Sequence, residues 1–154
     1  MLNIFVYGSL KRGFANHSYF CSGYITLQNA TVRGRLFALP SFPALWIPES
    51  NILTRGTGDY LADVAKQSSF PRGGSSGSGD EFGSVSGELL TFADPIVRLA
   101  ALDRLEGFNP GGESFYQRVM AYVKAGEHRV PAWLYVFEDH QFEGLTELPG
   151  GVWE

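Results

Sequence analysis

The chain has 154 residues, enough for one domain that buries roughly 68–70% of its unfolded surface around a single core. Hydrophobic residues make up 44% and aromatics 14%, which excludes an intrinsically disordered chain. Twelve basic residues against sixteen acidic ones give a net charge of -4, and the basic residues are scattered, so the footprint of a nucleic-acid binder is absent. The single cysteine, Cys21, rules out a disulfide framework within the chain and fits a reducing, cytoplasmic setting. It reads as a structural thiol, because no base or motif accompanies it.

In chain order, Leu2 to Tyr7 is a short apolar run ended by Gly8, and it predicts a buried strand. It has neither the basic start of a signal peptide nor the length of a membrane span. Asn16 can cap a short helix running to about Cys21, with Gly23 as its stop. Tyr24 to Leu27 and Thr31 to Leu39 read as strands divided by a polar Gln28-Asn29 turn. Phe42 to Ile47 reads as extended, because Pro43 does not suit a helix interior.

The character changes from Glu49 to Ser84. Asp59 to Lys66 allows one or two helical turns, and Ser68 to Gly83, centred on Arg72 to Gly79, has the composition of a flexible linker. The flanking pieces are too short to stand alone. The expected organisation is therefore one domain over 1–154 with a Gly/Ser-rich insertion at about 49–84.

Val85 to Phe92 predicts a further strand. Asp94-Pro95 then opens a helix whose apolar stripe is Ile96, Leu99, Leu102 and Leu105, widened by Val97 and Ala100, and Gly107 stops it. Phe115 to Lys124 and Arg129 to Phe137 predict two long strands joined through Gly126-Glu127. Many strands with one strong helix imply an α+β fold with a curved antiparallel sheet or barrel.

Three places can carry chemistry. The Tyr7-Gly8-Ser9-Leu10 segment lets consecutive N–H groups converge on an anion, or it is simply a strand end. Ser9 lacks the flanking pattern of a nucleophile elbow. Glu106 closes the 95–106 helix on the face that carries Leu99, Leu102 and Asp103. A carboxylate there faces the negative end of the helix dipole, and burial would raise its pKa further into the range useful for acid/base work. The competing reading is a solvated surface glutamate. Tyr116 and Arg118 alternate onto one strand face, where Arg118 either pairs a substrate carboxylate or sits exposed on an edge. Glu88 is either a second pocket carboxylate or, as its strand setting favours, an outward-facing polar residue. His17, His128 and His140 show no metal-site spacing, so no metal is assigned.

In this order the motifs resemble the gamma-glutamyl cyclotransferase-like family. The matching segments are Val6-Tyr7-Gly8-Ser9-Leu10, Gly13, Asn16-His17, Gly34-Arg35-Leu36-Phe37 and Phe42-Pro43-Ala44. They continue with Val85 to Leu90, Leu102 to Phe108, Tyr116-Gln117-Arg118, Ala132 to Phe137 and Gly151-Val152-Trp153. The resemblance spans nearly all of the chain except about 49–84. It implies a small mixed, mainly antiparallel β-barrel flanked by short helices. It also implies cyclisation of a small-molecule gamma-glutamyl substrate to 5-oxoproline, with release of an amine or amino acid and no cofactor. The glutamyl unit would bind at Tyr7, Gly8, Ser9 and Leu10, and Glu106 would be the catalytic glutamate. Two other functions compete: a non-catalytic binding module on the same fold, and a hydrolase or acyl-transfer variant acting on gamma-glutamyl compounds. The long 49–84 stretch and the Gly-rich 109–112 loop depart from the family pattern and would bear on pocket access.

Overall fold

The computed structural model describes residues 1–73 and 83–154. Much of the linker-like Ser68–Gly83 stretch, residues 74–82, therefore lies outside the described residues. In chain order the elements are β1 (Leu2–Val6), α1 (Ala15–Phe20), β2 (Thr26–Arg33), β3 (Arg35–Ala38), β4 (Pro43–Trp46), β5 (Ile52–Arg55) and α2 (Tyr60–Ser69). They continue with β6 (Ser84–Phe92), α3 (Pro95–Glu106), β7 (Gln117–Ala125), β8 (His128–Val136) and β9 (Thr146–Leu148).

The main sheet has the order β2-β6-β1-β8-β7-β5, and a pairing of Thr31 with Lys124 joins β2 to β7. That contact closes five strands into a barrel and leaves β5 as an additional strand on β7. The barrel is mixed because β1 runs parallel to β8, whereas its other strand pairs are antiparallel. A small second sheet, β4-β3-β9, stands beside it.

Strand alternation builds two apolar layers. Phe5, Ala30, Val32, Val85, Leu89, Ala121, Val123, Ala132 and Leu134, drawn from all five barrel strands, form the interior. The small residues at 121, 125 and 132 suit the narrow bore of a five-stranded barrel. Leu2, Ile4, Val6, Leu90, Phe92, Met120 and Trp133 point the other way and meet Leu99 and Leu102 of α3. Each fully buried leucine there contributes about 1.5–3 kcal/mol. Strands β1, β7 and β8 are thus covered on both faces.

Several local expectations are corrected. The Gln28-Asn29 pair does not turn: β2 is continuous through it, with both side chains exposed, and the break falls at Gly34. Asn16 is not the cap of α1; Phe14 holds that position, and Asn16 lies within the helix. Asp94 does precede α3, but its side chain caps no backbone N–H and instead pairs with Arg98 at 3.2 Å. The stretch read as an insertion supplies core structure. Strand β5 pairs with β7, Asp59 caps α2 through the N–H of Ala62, and Phe70 packs on the outer layer. The tail contributes β9 on β3, which the sequence reading missed.

Candidate active site

The helical period carries Leu99, Leu102 and Asp103 into the protein, and Glu106 continues that face at the last residue of α3. Gly107 then adopts φ 69°, the left-handed C-cap that ends a helix at low cost. The reversal returns the chain alongside the helix end. The N–H of Phe115 donates to the Gly107 carbonyl at 2.8 Å, and that of Tyr116 to the Glu106 carbonyl at 3.3 Å. One backbone turn therefore sets Tyr116 beside Glu106.

Strand β1 delivers the other wall. The segment after Val6 turns at once, with the Lys11 N–H donating to the Gly8 carbonyl at 3.0 Å. Gly8 is not in the left-handed region. Glycine is required there by close approach, since a Cβ would lie 2.9 Å from Pro43 Cγ. Three side chains hold the turn. Asn16 Nδ2 donates to Ser9 Oγ at 3.0 Å, His17 Nδ1 lies 2.9 Å from the Leu10 carbonyl, and the Glu88 carboxylate accepts both the backbone N–H and Nε of Arg12.

Between these walls lies a cavity of about 200 Å³. That is below the roughly 300–1,000 Å³ of drug-sized ligand pockets, so the space suits a small unit. Tyr7, Gly8, Ser9 and Leu10 line one side, and Leu105, Glu106, Phe115 and Tyr116 line the other. Phe42 and Pro43 border the same space, as do Asn16 and Tyr135. Five of the expected substrate-binding residues therefore meet the expected catalytic one.

Burial alone pushes the Glu106 carboxyl up from 4.5 to about 7. Among the described residues its side chain forms no hydrogen bond or ion pair, so nothing opposes that shift. The same carboxylate helps to raise the tyrosines around it. Burial, then the Tyr116 and Glu106 charges, lift Tyr7, while burial and Glu106 lift Tyr116. Their hydroxyls stay protonated and committed within the fold. Tyr7 donates to the Tyr135 carbonyl at 2.6 Å, Tyr116 to the Pro43 carbonyl at 2.7 Å, and Tyr135 to Asp103 Oδ1 at 2.6 Å.

Arg118 does not join them. It is 1% exposed and does not line the cavity. Its Nε donates to Asp103 Oδ1 at 2.8 Å, and Nη2 reaches Asp63 Oδ2 at 3.0 Å, Asp103 Oδ2 at 3.1 Å and the Thr57 carbonyl at 3.2 Å. Burial works against its charge, but hydrogen bonding to Asp103 and the attraction of both aspartates outweigh it and hold the pKa above the ordinary value. The guanidinium also stacks on Trp133 at 4.6 Å. Arg118 thus pairs two carboxylates of the protein rather than one of a ligand. Glu88 is also corrected: it is 7% exposed and anchors Arg12, so it neither faces solvent nor enters the cavity. Sequence reasoning missed Asn16 as a cavity residue: it read Asn16 as a helix cap, although the Asn16-His17 pair stood among the segments of the family resemblance. Among the described residues no group of three His, Cys, Asp or Glu side chains is placed to hold a metal ion, and no helix is long and apolar enough to cross a membrane.

The architecture is similar to several solved structures at low identity. YkqA from Bacillus subtilis aligns with a TM-score of 0.60 and 18% identity, covering 99% of this chain and 39% of that one. The chain therefore spans about two fifths of the length of YkqA. An AIG2-like protein from Mus musculus aligns with a TM-score of 0.57 and 20% identity over 99% of this chain and 93% of its own. A protein specific to uropathogenic E. coli aligns with a TM-score of 0.55 and 15% identity over 98% and 91%. These likenesses establish a shared fold. No curated protein is significantly similar in sequence. The model of the family described as gamma-glutamyl cyclotransferase, AIG2-like, matches residues 4–68 and 70–154, and with the barrel in place the chain belongs to that family.

Proposed function

We propose that this protein is a gamma-glutamyl cyclotransferase, acting on a small-molecule gamma-glutamyl compound with Glu106 as general acid and base. The observation that carries the reading is the shared cavity: a carboxyl with no partner among the described residues, its pKa pushed up to about 7, lines the same space as the Tyr7–Leu10 turn. A carboxyl poised at neutral pH can both take and return a proton.

The chemistry balances without another reactant. The substrate α-ammonium first loses one proton to solvent; the free amine then attacks the δ-carbonyl carbon and passes a second proton to ionised Glu106. A new C–N bond closes the five-membered ring. The tetrahedral intermediate then collapses, the original amide C–N bond breaks, and Glu106 returns the proton to the leaving nitrogen. The products are 5-oxoproline and a free amine or amino acid. Backbone N–H groups of Gly8, Ser9 and Leu10 would hold the glutamyl unit and polarise its carbonyl. Acid/base work of this kind contributes about 10²–10⁴-fold. Holding the amine against its own carbonyl reduces the entropic barrier further. In this reading Tyr116 offers ring surface rather than a free hydroxyl, and Arg118 supports the helix that carries Glu106.

The test is a panel of gamma-glutamyl amines and amino acids, each paired with its N-acetylated counterpart and followed by mass spectrometry for 5-oxoproline. The reading expects 5-oxoproline from free-amine substrates and nothing from the acetylated ones. Release of amine from acetylated substrates at a similar rate would mean attack by water or by an enzyme nucleophile, and the reading would give way to a hydrolase.

A further inference from the structure

We propose that Phe115, with Phe42 and Leu105, forms the leaving-group subsite and selects gamma-glutamyl amides of apolar, ring-bearing amines over gamma-glutamyl amino acids. The inference rests on the cyclotransferase reading and names the class of amine that the reaction would release.

The cavity has a buried floor, where Tyr7, Leu10, Pro43, Tyr116 and Tyr135 lie. Its rim is open. Phe42 and Leu105 are half-buried, and Phe115, at 47% exposed, is the one large apolar lining residue that stands exposed among the described residues. The departing nitrogen is bonded to the δ-carbonyl, so the group it carries leaves the enclosed part and passes this rim. A half-exposed phenyl ring there is surface that an apolar group can cover. The ring is also held in place. The Phe115 N–H donates to the Gly107 carbonyl at 2.8 Å, and its own carbonyl accepts Nε2 of Gln141 at 2.8 Å. It stands edge-on to Phe42, Tyr116 and Phe137, with ring centroids 5.6, 5.1 and 5.2 Å away. The row of rings continues through Phe137 and Phe142 to Phe37. A ring fixed in this way offers its free surface without the ordering cost of a mobile side chain.

Charge sharpens the choice. In the proposed reaction Glu106 reaches the leaving nitrogen to return its proton. An amino acid leaving group carries a carboxylate on the carbon bonded to that nitrogen, so this second anion would stand close to Glu106 in its ionised, proton-accepting form. No Lys, Arg or His lies among the described residues lining the cavity to offset it, and the guanidinium of Arg118 is paired with Asp63 and Asp103. Like-charge repulsion and the desolvation of the added carboxylate both disfavour such a substrate. An amine without a carboxylate has no such cost, and a ring on it gains the contact with Phe115.

The experiment compares three substrates with the same glutamyl end. They are gamma-glutamyl phenethylamide, gamma-glutamyl phenylalanine, which adds only a carboxylate, and gamma-glutamyl methylamide, which lacks the ring. The kcat/KM for 5-oxoproline release should favour the phenethylamide over each of the others by about tenfold or more in the wild type. Phe115→Ala should cut the phenethylamide-to-methylamide ratio about three- to tenfold, the loss expected for one aromatic contact. Phe115→Tyr, which keeps the ring, should retain the ratio. A general loss of activity from a displaced Tyr116 cancels in this ratio, and Phe42→Ala reads the same quantity if Phe115→Ala does not fold. An unchanged ratio in these alanine variants would overturn the subsite and leave the cyclotransferase reading intact. Turnover of the phenylalanine compound by the wild type as readily as the phenethylamide would do the same. If none of the three yields 5-oxoproline, calorimetry on the wild type reads the preferences as dissociation constants. The expected preferences without product would keep the aromatic subsite and remove the cyclotransferase reading; equal or undetectable binding would remove both.

Discussion

Asp103 and Glu106 stand three residues apart on one face of α3, and their surroundings are opposite in kind. Asp103, 2% exposed, receives hydrogen bonds from Arg118 and from Tyr135 and belongs to an ion cluster completed by Asp63. Glu106, at the open end of the same face, has no partner among the described residues, and its pKa stands at about 7. The contrast shows how one helix face serves two ends. Paired charge ties α2, α3, β7 and β8 together, and an unpaired carboxyl at the cavity stays free to exchange protons. A partner cation beside Glu106 would hold it ionised and unable to return a proton at neutral pH.

The largest expected effect comes from breaking the paired side. Arg118→Ala leaves Asp63 and Asp103 buried without their counterion, and removing one member of a buried pair costs roughly 3–5 kcal/mol. Urea unfolding measures it. A loss under about 1 kcal/mol would mean that the cluster is well hydrated and that the contrast with Glu106 is overdrawn.

A smaller, pH-dependent effect is expected on the unpaired side. Glu106 binds its proton more tightly folded than unfolded, because its pKa rises from 4.5 to about 7. Below 4.5 both states are protonated and nothing is lost. Between 4.5 and 7 the folded state holds more protons, so this group's contribution to stability falls as pH rises, and the full penalty is present above 7. Glu106→Gln has no such penalty. The variant should therefore gain on the order of 1–3 kcal/mol relative to wild type on going from pH 4 to pH 8. A stability difference between the two proteins that stays flat with pH would show that Glu106 is solvated like a surface glutamate.

The smallest effect concerns the turn between helix and cavity. Gly107→Ala must accept a left-handed φ of 69° and place a Cβ 3.0 Å from that of Phe115. The cost should be about 1 kcal/mol from the backbone alone, with a further loss of turnover as Phe115 and Tyr116 shift. Thermal unfolding beside steady-state kinetics separates the two parts. Unchanged activity would mean that the position of Tyr116 does not matter to the site.

The sequence made the helix end legible because Leu99, Leu102, Asp103, Glu106 and Gly107 form one local pattern of face and stop. The Tyr7 to Leu10 turn was visible for a similar reason, as an apolar strand cut short by glycine. The physical reason for that glycine was not visible, since Pro43 lies thirty-five residues away in the chain. Arg118 misled because its partners, Asp63 and Asp103, are separated from it by fifty-five and fifteen residues. Glu88 misled because β6 is buried over much of both faces, so alternation no longer marks an outward side. Polar Gln28 and Asn29 suggested a turn where the first half of β2 stays in strand with both of these neighbouring side chains exposed, one on each face. Asn16 looked like a cap, and only the folded turn brings its amide to Ser9.

The central claim is that Glu106 moves the protons of cyclisation, and the most direct measurement is 5-oxoproline release by Glu106→Gln beside wild type on the best substrate of the panel. The amide fills nearly the same volume but accepts no proton, so circular dichroism should be unchanged while turnover falls on the order of 10²-fold or more. Turnover within a few-fold of wild type, from a folded variant, would contradict the account and assign the proton transfer elsewhere.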